Sequence, residues 1–173
     1  DELNPAIVVA TYNRAYSLER LLKMLDAANY PSHGVQLVIS IDGGGTDDVK
    51  QLANSFEWGH GSKDVIRHTC NLGLREHILR CGDLTQKYGS IIMLEDDLGV
   101  SPAFYKYSAS ALAYYGTDAN IAGVSLYNQP LCTSGWRPFE AVADGWDNYF
   151  LQYASSWGQA WTHQQWSDFR AWY

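Results

Sequence analysis

Ser90–Pro102 reads SIIMLEDDLGVSP, and the fold turns on how this stretch is read. Ile91, Ile92, Met93 and Leu94 run without a break into three carboxylates, Glu95, Asp96 and Asp97. A short, uninterrupted apolar run of this kind predicts a central strand covered on both faces, the pattern of a parallel sheet. Ligands of open α/β sheets gather just outside the carboxyl ends of such strands, where these acids fall. Adjacent acids repel one another unless a cation sits among them. A hard divalent ion, Mg²⁺ or Mn²⁺, suits oxygen ligands there and keeps positions open for phosphate oxygens. The plainer alternative is that Asp96 and Asp97 only cap the next turn. Their place directly after a buried strand favours metal or ligand binding.

Working outward, Ala6–Ala10 (AIVVA) is a first buried strand, followed by the turn Thr11-Tyr12-Asn13-Arg14. Ser17 is the expected cap of a helix carrying Leu18, Leu21, Leu22 and Leu25 on one face. Val35–Ile41 is a second strand, ending at Asp42 and three glycines, and Thr46 caps the next helix. Asp64–Thr69 is a shorter third strand. A helix follows to about Tyr88, with Leu74, Ile78, Cys81, Leu84 and Tyr88 as its stripe. On the far side, Ser101-Pro102 opens a helix with Phe104, Ser108, Ala111, Leu112 and Tyr115 on one face, and Ile121–Leu126 reads as a fifth strand. Beyond Tyr127 the expectations are a strand near Tyr149–Tyr153 and an aromatic helix from about Gln159. Alternating strands and helices with short links give an α/β class, Rossmann-like, doubly wound and mostly parallel.

The chain's 173 residues suit a single domain with a substantial core, and 18% charged against 46% hydrophobic residues excludes a disordered chain. A formal charge of −7 argues against nucleic-acid or anionic-membrane binding. No stretch has the length of a membrane span. Cys70, Cys81 and Cys132 are scattered, without C-x-x-C, which suits a reducing, cytoplasmic compartment. Six of the seven tryptophans lie at or after Trp136, so the chain changes job about two-thirds of the way along.

Several constellations could carry chemistry. The turn after the first strand lies at the same edge as the acids. There Thr11 and Tyr12 could line a base and Arg14 could meet phosphate, or Arg14 could simply pair with an acid of the following helix. Asp42-Gly43-Gly44-Gly45 lacks the Gly-Lys-Ser/Thr of a P-loop. Its glycines allow close backbone approach, and Asp42 could accept from a base N–H or merely form a turn. His68, Cys70, His77 and Cys81 could hold zinc, but their spacing matches no compact zinc motif. Trp157, Trp161 and Trp166 could form a platform for a sugar face or pack as core; the i, i+4 spacing of the first two suits either.

Three separated stretches, VVATYNRAYSLERLL, IIMLEDDLGVSPAFYKY and SSWGQAWTHQQW, together resemble the inverting, metal-dependent nucleotide-sugar glycosyltransferases of the GT-A fold. The likeness is to family 2-like bacterial enzymes and to the N-acetylglucosaminyltransferase I group. The resemblance implies a donor-binding half over residues 1–100 and an acceptor-side half over 101–173 within one domain. It implies Asp97 as the metal ligand, Mn²⁺ favoured over Mg²⁺, with Asp96 at the donor's ribose and Glu95 facing the sugar. It further implies Asp42 and Gly43 at the base, Thr11, Tyr12 and Arg14 lining the nucleotide, and His77 near the diphosphate. The partners implied are a nucleotide diphosphate sugar, UDP-sugars favoured, and a glycan or other hydroxyl acceptor. The location would be cytoplasmic, or the Golgi lumen in a eukaryote.

Two departures stand out. The family turn D-D-G-S-T-D is here Asp42-Gly43-Gly44-Gly45-Thr46-Asp47. The family's acceptor-deprotonating carboxylate would fall a few residues past Tyr173, so donor binding with little transfer is the expectation for these 173 residues. Asp168 is the in-chain candidate for that base, followed by Asp144 and Asp147. Two rival readings are a nucleotidyltransferase, which would want a basic, glycine-rich loop where ATYNRAYS stands, and a non-catalytic nucleotide- or glycan-binding domain.

Overall fold

β-Branched and leucine-rich runs form the central strands of the sheet because each is apolar on both faces. β1 (Ala6–Thr11), β2 (Leu37–Ile41) and β4 (Ser90–Glu95) are buried along nearly their whole length. The structure, a computed structural model, describes residues 3–31, 34–132, 135, 137–146, 148–153 and 155–173. With β3 (Lys63–Arg67), β5 (Val124–Ser125) and β6 (Gln159–Thr162), the strands form one sheet in the order β3-β2-β1-β4-β6-β5. The first four are parallel, while β6 runs antiparallel to β4 and to β5. Sequence order reverses between β1 and β4, so a crevice opens there at the carboxyl edge.

Alternation along the strands splits the core into two faces. Ile7, Val9, Ile39, Ile92 and Leu94 pack with α1 (Ala15–Asp26), α2 (Asp47–Ser55) and α5 (Phe104–Tyr115). Ala6, Val8, Val38, Ile91 and Met93 face α3 (Gly73–Asp83) and α6 (His163–Trp172). Leu18, Leu21, Leu22 and Leu25 are wholly buried, as their spacing predicts. Each such side chain contributes on the order of 1.5–3 kcal/mol.

Where local order departs from expectation, the causes are specific. α1 begins at Ala15 after Arg14, so Ser17 lies inside it and caps nothing. Pro102 sits in a turn, and α5 starts later, at Phe104. The expected long helix ends at Asp83, and the short α4 (Thr85–Tyr88) follows, closed by Gly89 at φ 75°. Leu74, placed on the apolar stripe, is instead exposed, while His77 takes the inward position.

The second half departs most. The fifth strand shrinks to Val124–Ser125, and Tyr149–Tyr153 forms no strand. Gln159–Thr162 is a strand, not a helix, because Thr162 and Gln165 close a reciprocal capping box that fixes the helix start at His163. Trp161 and Trp166 therefore belong to different elements and meet edge to face, with centroids 5.3 Å apart. Gly82 is required there: a Cβ on it would lie 1.9 Å from the Trp166 ring.

Candidate functional site

β1 and β4 deliver Thr11 and Asp96 to the switch point, where the Asp96 N–H donates to the Ala10 carbonyl at 3.1 Å. The Thr11 hydroxyl donates to Asp96 Oδ2 at 2.7 Å. Arg14, at the start of α1, reaches back across the edge. Its Nη2 lies 2.6 Å from Asp96 Oδ1 and its Nη1 2.5 Å from Asp97 Oδ2. Arg20 donates to the Asp97 carbonyl from the next turn of the same helix. The cation that three adjacent acids call for is therefore, within the chain itself, the Arg14 guanidinium.

The two aspartates are held differently. Asp96 is 1% exposed, and its Oδ1 makes an ion-pair contact with Arg14 but no aligned hydrogen bond. Asp97 keeps 45% of its side chain in solvent. Glu95 is half-buried, and its carboxyl is raised above the ordinary Glu value by burial first, then by the charge of Asp97. It borders a small cavity of about 110 Å³ with Leu74, Ile78, Met93, Leu94, Ser156 and Gln159.

Among the described residues, no group of three or more His, Cys, Asp or Glu side chains is arranged to hold a metal ion. A lone, half-exposed carboxylate beside an under-bonded buried one does suit a divalent ion that takes its remaining ligands from a bound diphosphate.

Asp42 is built into the scaffold more deeply than its sequence context suggests. α3 has no cap of its own, because Leu72 precedes it. Asp42 supplies one: its Oδ1 accepts from the N–H groups of Leu72 and Gly43, both at 2.8 Å, and its Oδ2 from Gly73 at 3.1 Å. Burial alone would raise its carboxyl, but these donors and His77 hold it below the ordinary Asp range. Three of its four lone-pair positions are thus used by backbone, leaving one for a ligand.

Gly43 is needed for the same packing, since a Cβ on it would lie 2.0 Å from the Cys70 carbonyl carbon. The close approach expected here is to the chain's own backbone. Tyr12 is partly exposed, with its hydroxyl over Gly44.

His77 is buried, and its Nε2 lies 2.8 Å from Ser40 Oγ, which also meets His68 Nε2 at 3.3 Å. Burial pushes the His77 imidazole below its ordinary value, against the pull of Asp42. Cys81 is buried on the same face, its thiol pushed up to about 12 by burial, whereas Cys70 is exposed. Three of the four zinc candidates therefore gather around or near Ser40, without the arrangement that zinc requires. Ser40 and Arg20 were not among the sequence candidates. Ser40 could be suspected only as a polar break in the apolar run of β2.

Two of the three candidate bases are among the described residues. Asp168 is exposed midway along α6 and accepts from Gln164 at 2.9 Å. Asp144 is exposed and caps its own turn through the Trp146 N–H. Asp147 lies outside the described residues. Of the tryptophans, Trp161 and Trp166 are core, while Trp157 is half-exposed and packs on Tyr127.

No family model matches this sequence. No curated protein matches it either. Solved structures do match in fold. A 1–349 fragment of S. aureus TarS superposes with a TM-score of 0.56 at 17% identity, over 78% of this chain and 43% of its own. The same fragment in complex with UDP gives 0.55 at 17% identity, over 65% and 33%. The mannosyltransferase PcManGT from Pyrobaculum calidifontis, in complex with GDP-Man and Mn²⁺, gives 0.56 at 18% identity, over 75% and 37%. The chain spans less than half the length of each of these. The shared architecture is the GT-A-type glycosyltransferase fold. Among the described residues, no helix is long and apolar enough to cross a membrane.

Proposed function

We propose that the carboxyl edge of β1, β2 and β4 binds a nucleotide diphosphate sugar, and that the chain serves a metal-dependent, inverting glycosyltransferase acting on a glycan or other hydroxyl acceptor. The observation that carries this reading is the Arg14-bridged pair of aspartates at the topological switch point, one sealed and one open. The matched structures in complex with UDP and with GDP-Man and Mn²⁺ support it. The donor would be a hexosyl or N-acetylhexosaminyl nucleotide, UDP-linked in preference, held mainly by residues 1–100, with the acceptor met by residues 101–173.

Asp97 would hold the divalent ion, which acts as a Lewis acid toward the leaving diphosphate when bound. Thr11 and Arg14 fix Asp96, so that Asp97 projects from a rigid edge. A ribose contact by Asp96 requires Arg14 to move off Oδ1, and Arg14 is then free for phosphate. Asp42 offers its last lone pair toward the base while it caps α3. Glu95, its carboxyl raised above the ordinary Glu value by burial and by Asp97, would border the space for the sugar. In the transfer, the acceptor oxygen bonds the anomeric carbon on the face opposite the diphosphate. The bond from that carbon to the phosphate oxygen breaks with its electron pair, and the acceptor proton passes to a carboxylate base.

Calorimetric titration with UDP, GDP and dTDP, with and without Mn²⁺, tests the reading. Mn²⁺-dependent binding that Asp97→Ala abolishes while the fold stays intact is the expected result. Binding of UDP that ignores both a chelator and Asp97→Ala would remove the metal assignment, and no nucleotide binding at all would remove the function.

A further inference from the structure

We infer that a cavity lined by α5, β5 and the loops before β6 is a binding site for an uncharged oligosaccharide, the acceptor of the proposed transfer; as the acceptor's site, the assignment rests on that reading. The cavity, of about 850 Å³, lies between α5, β5 and the loops before β6. That volume is in the range of ligand sites and exceeds what a single sugar ring needs.

Its position is fixed by the sheet. Gln159 pairs with Met93 of β4 and Ser125 of β5, so this part of the cavity lining lies two residues from Glu95 along β4. Gln159 also borders the small cavity that Glu95 lines, so the two spaces share a wall.

The lining chemistry selects the occupant. None of the described lining residues carries a charge. Aromatic rings, with Tyr107, Tyr115, Tyr149 and Trp161 among them, are interleaved with amides such as Asn128 and Gln159. The polar groups are held in place. Asn148 donates to the Tyr115 hydroxyl at 2.9 Å, the Tyr149 hydroxyl donates to Asn128 Oδ1 at 2.6 Å, and Trp161 Nε1 donates to Gln159 Oε1 at 3.0 Å. This leaves the Tyr115 hydroxyl hydrogen and the Asn128 amide hydrogens to offer to a ligand.

A sugar presents apolar C–H faces to rings and hydroxyls to amides and phenols, and so uses both halves of this lining. A phosphate- or carboxylate-bearing acceptor would lose hydration and meet no cation among the described lining residues. A wholly apolar ligand would strand the amides.

The test titrates the chain with neutral tetrasaccharides (chitotetraose, cellotetraose, maltotetraose, mannotetraose) and with tetragalacturonate, read by saturation-transfer NMR. UDP with Mn²⁺ is titrated in parallel by calorimetry. At least one neutral tetrasaccharide should bind and outcompete tetragalacturonate. Tyr107→Ala, at a half-exposed ring, and Asn128→Asp, which adds charge without size, should each weaken it at least about tenfold. Both variants should keep UDP affinity, which also shows that they fold.

Preference for tetragalacturonate, binding untouched by both variants, or no neutral saccharide bound while UDP binds would each overturn the assignment. Saccharide binding without any nucleotide binding would instead overturn the transferase reading and leave the cavity's chemistry standing.

Discussion

At β1, β2 and β4 the carboxyl edge is crowded with ionised groups, each tied to a distant part of the chain. Asp42 caps a helix that begins 31 positions later, and Thr11 meets Asp96 across 85. At β5 and β6 the described residues around the cavity carry no charge and are held by ring-to-ring contacts and amide–phenol bonds. The difference separates two kinds of recognition. The first region pre-sets charge for a ligand that brings phosphate and metal, and long-range bonds keep it rigid. The second offers adaptable neutral contacts, suited to a partner recognised by shape and hydroxyl pattern.

Breaking the aromatic side should cost most. Trp166 is 4% exposed, packs on Trp161 and Phe169, and donates to Asp83 Oδ1 at 2.8 Å. Trp166→Ala should lower stability by about 3–5 kcal/mol in urea denaturation. Gly82→Ala, which drives a methyl into the same ring, should cost about 1–3 kcal/mol. A loss below about 1 kcal/mol for Trp166→Ala would mean that α6 is not part of one cooperative core.

The ionic side should come next. Asp42→Ala strips acceptors from three backbone N–H groups and should cost about 2 kcal/mol, with a larger loss of nucleotide affinity than Tyr12→Ala. Equal affinity losses would move the base pocket away from Asp42.

How much of this was legible follows the same division. The parallel half could be read because each strand there is an unbroken apolar run and each helix carries a leucine or valine stripe. The acid triplet then fell at a strand end by necessity. The bridge from Arg14 to both aspartates could not be read, since a turn arginine has several acids within reach. Nor could the cap that Asp42 lends to α3, since Asn71 stands in the sequence as a ready local cap while Leu72 takes the cap position in the structure. In the second half, tryptophan spacing suggested a helix through Trp161, yet the Thr162–Gln165 capping box was present in the sequence and marked the boundary. The neutral cavity had no sequence signal, because its lining comes from three segments that meet only through β5–β6 pairing.

A smaller effect should appear with pH and on one side only. His77 is kept neutral by burial, with Asp42 opposing and His68 assisting the downward shift. Below about pH 6.5 the unfolded chain takes up a proton that folded His77 refuses, so stability falls as pH drops and is fully present above that value. The slope is at most about 1.4 kcal/mol per pH unit. His77→Gln should flatten it over the window that opens below pH ~6.5, as measured by urea midpoints, while Tyr107→Phe in the neutral cavity should leave it unchanged. Asp42 titrates below this window, because its carboxyl is held under the ordinary Asp range.

The smallest effect is expected at Asp168, and it bears directly on the comparison, because Asp168 is an acid outside the ionic edge. The α6 helix starts where the His163 N–H donates to the Gly89 carbonyl at 2.7 Å, beside the amino end of β4 and so opposite Glu95. From there Trp166 and Phe169 turn inward, while Asp168 faces solvent and, among the described residues, accepts only from Gln164. A solvated helix carboxylate with one intrahelical partner contributes little, so Asp168→Asn should change stability by less than about 0.5 kcal/mol. UDP–Mn²⁺ affinity should not change either, since no described contact links Asp168 to Arg14, Asp96 or Asp97. The decisive measurement is turnover with donor and acceptor. If Asp168 were the base that takes the acceptor proton, its loss would slow transfer by ~10²–10⁴-fold with donor binding intact. An unchanged rate keeps the chemistry at the β1–β4 edge; a fall of that size would shift proton transfer to α6 and dissolve the division between the two regions.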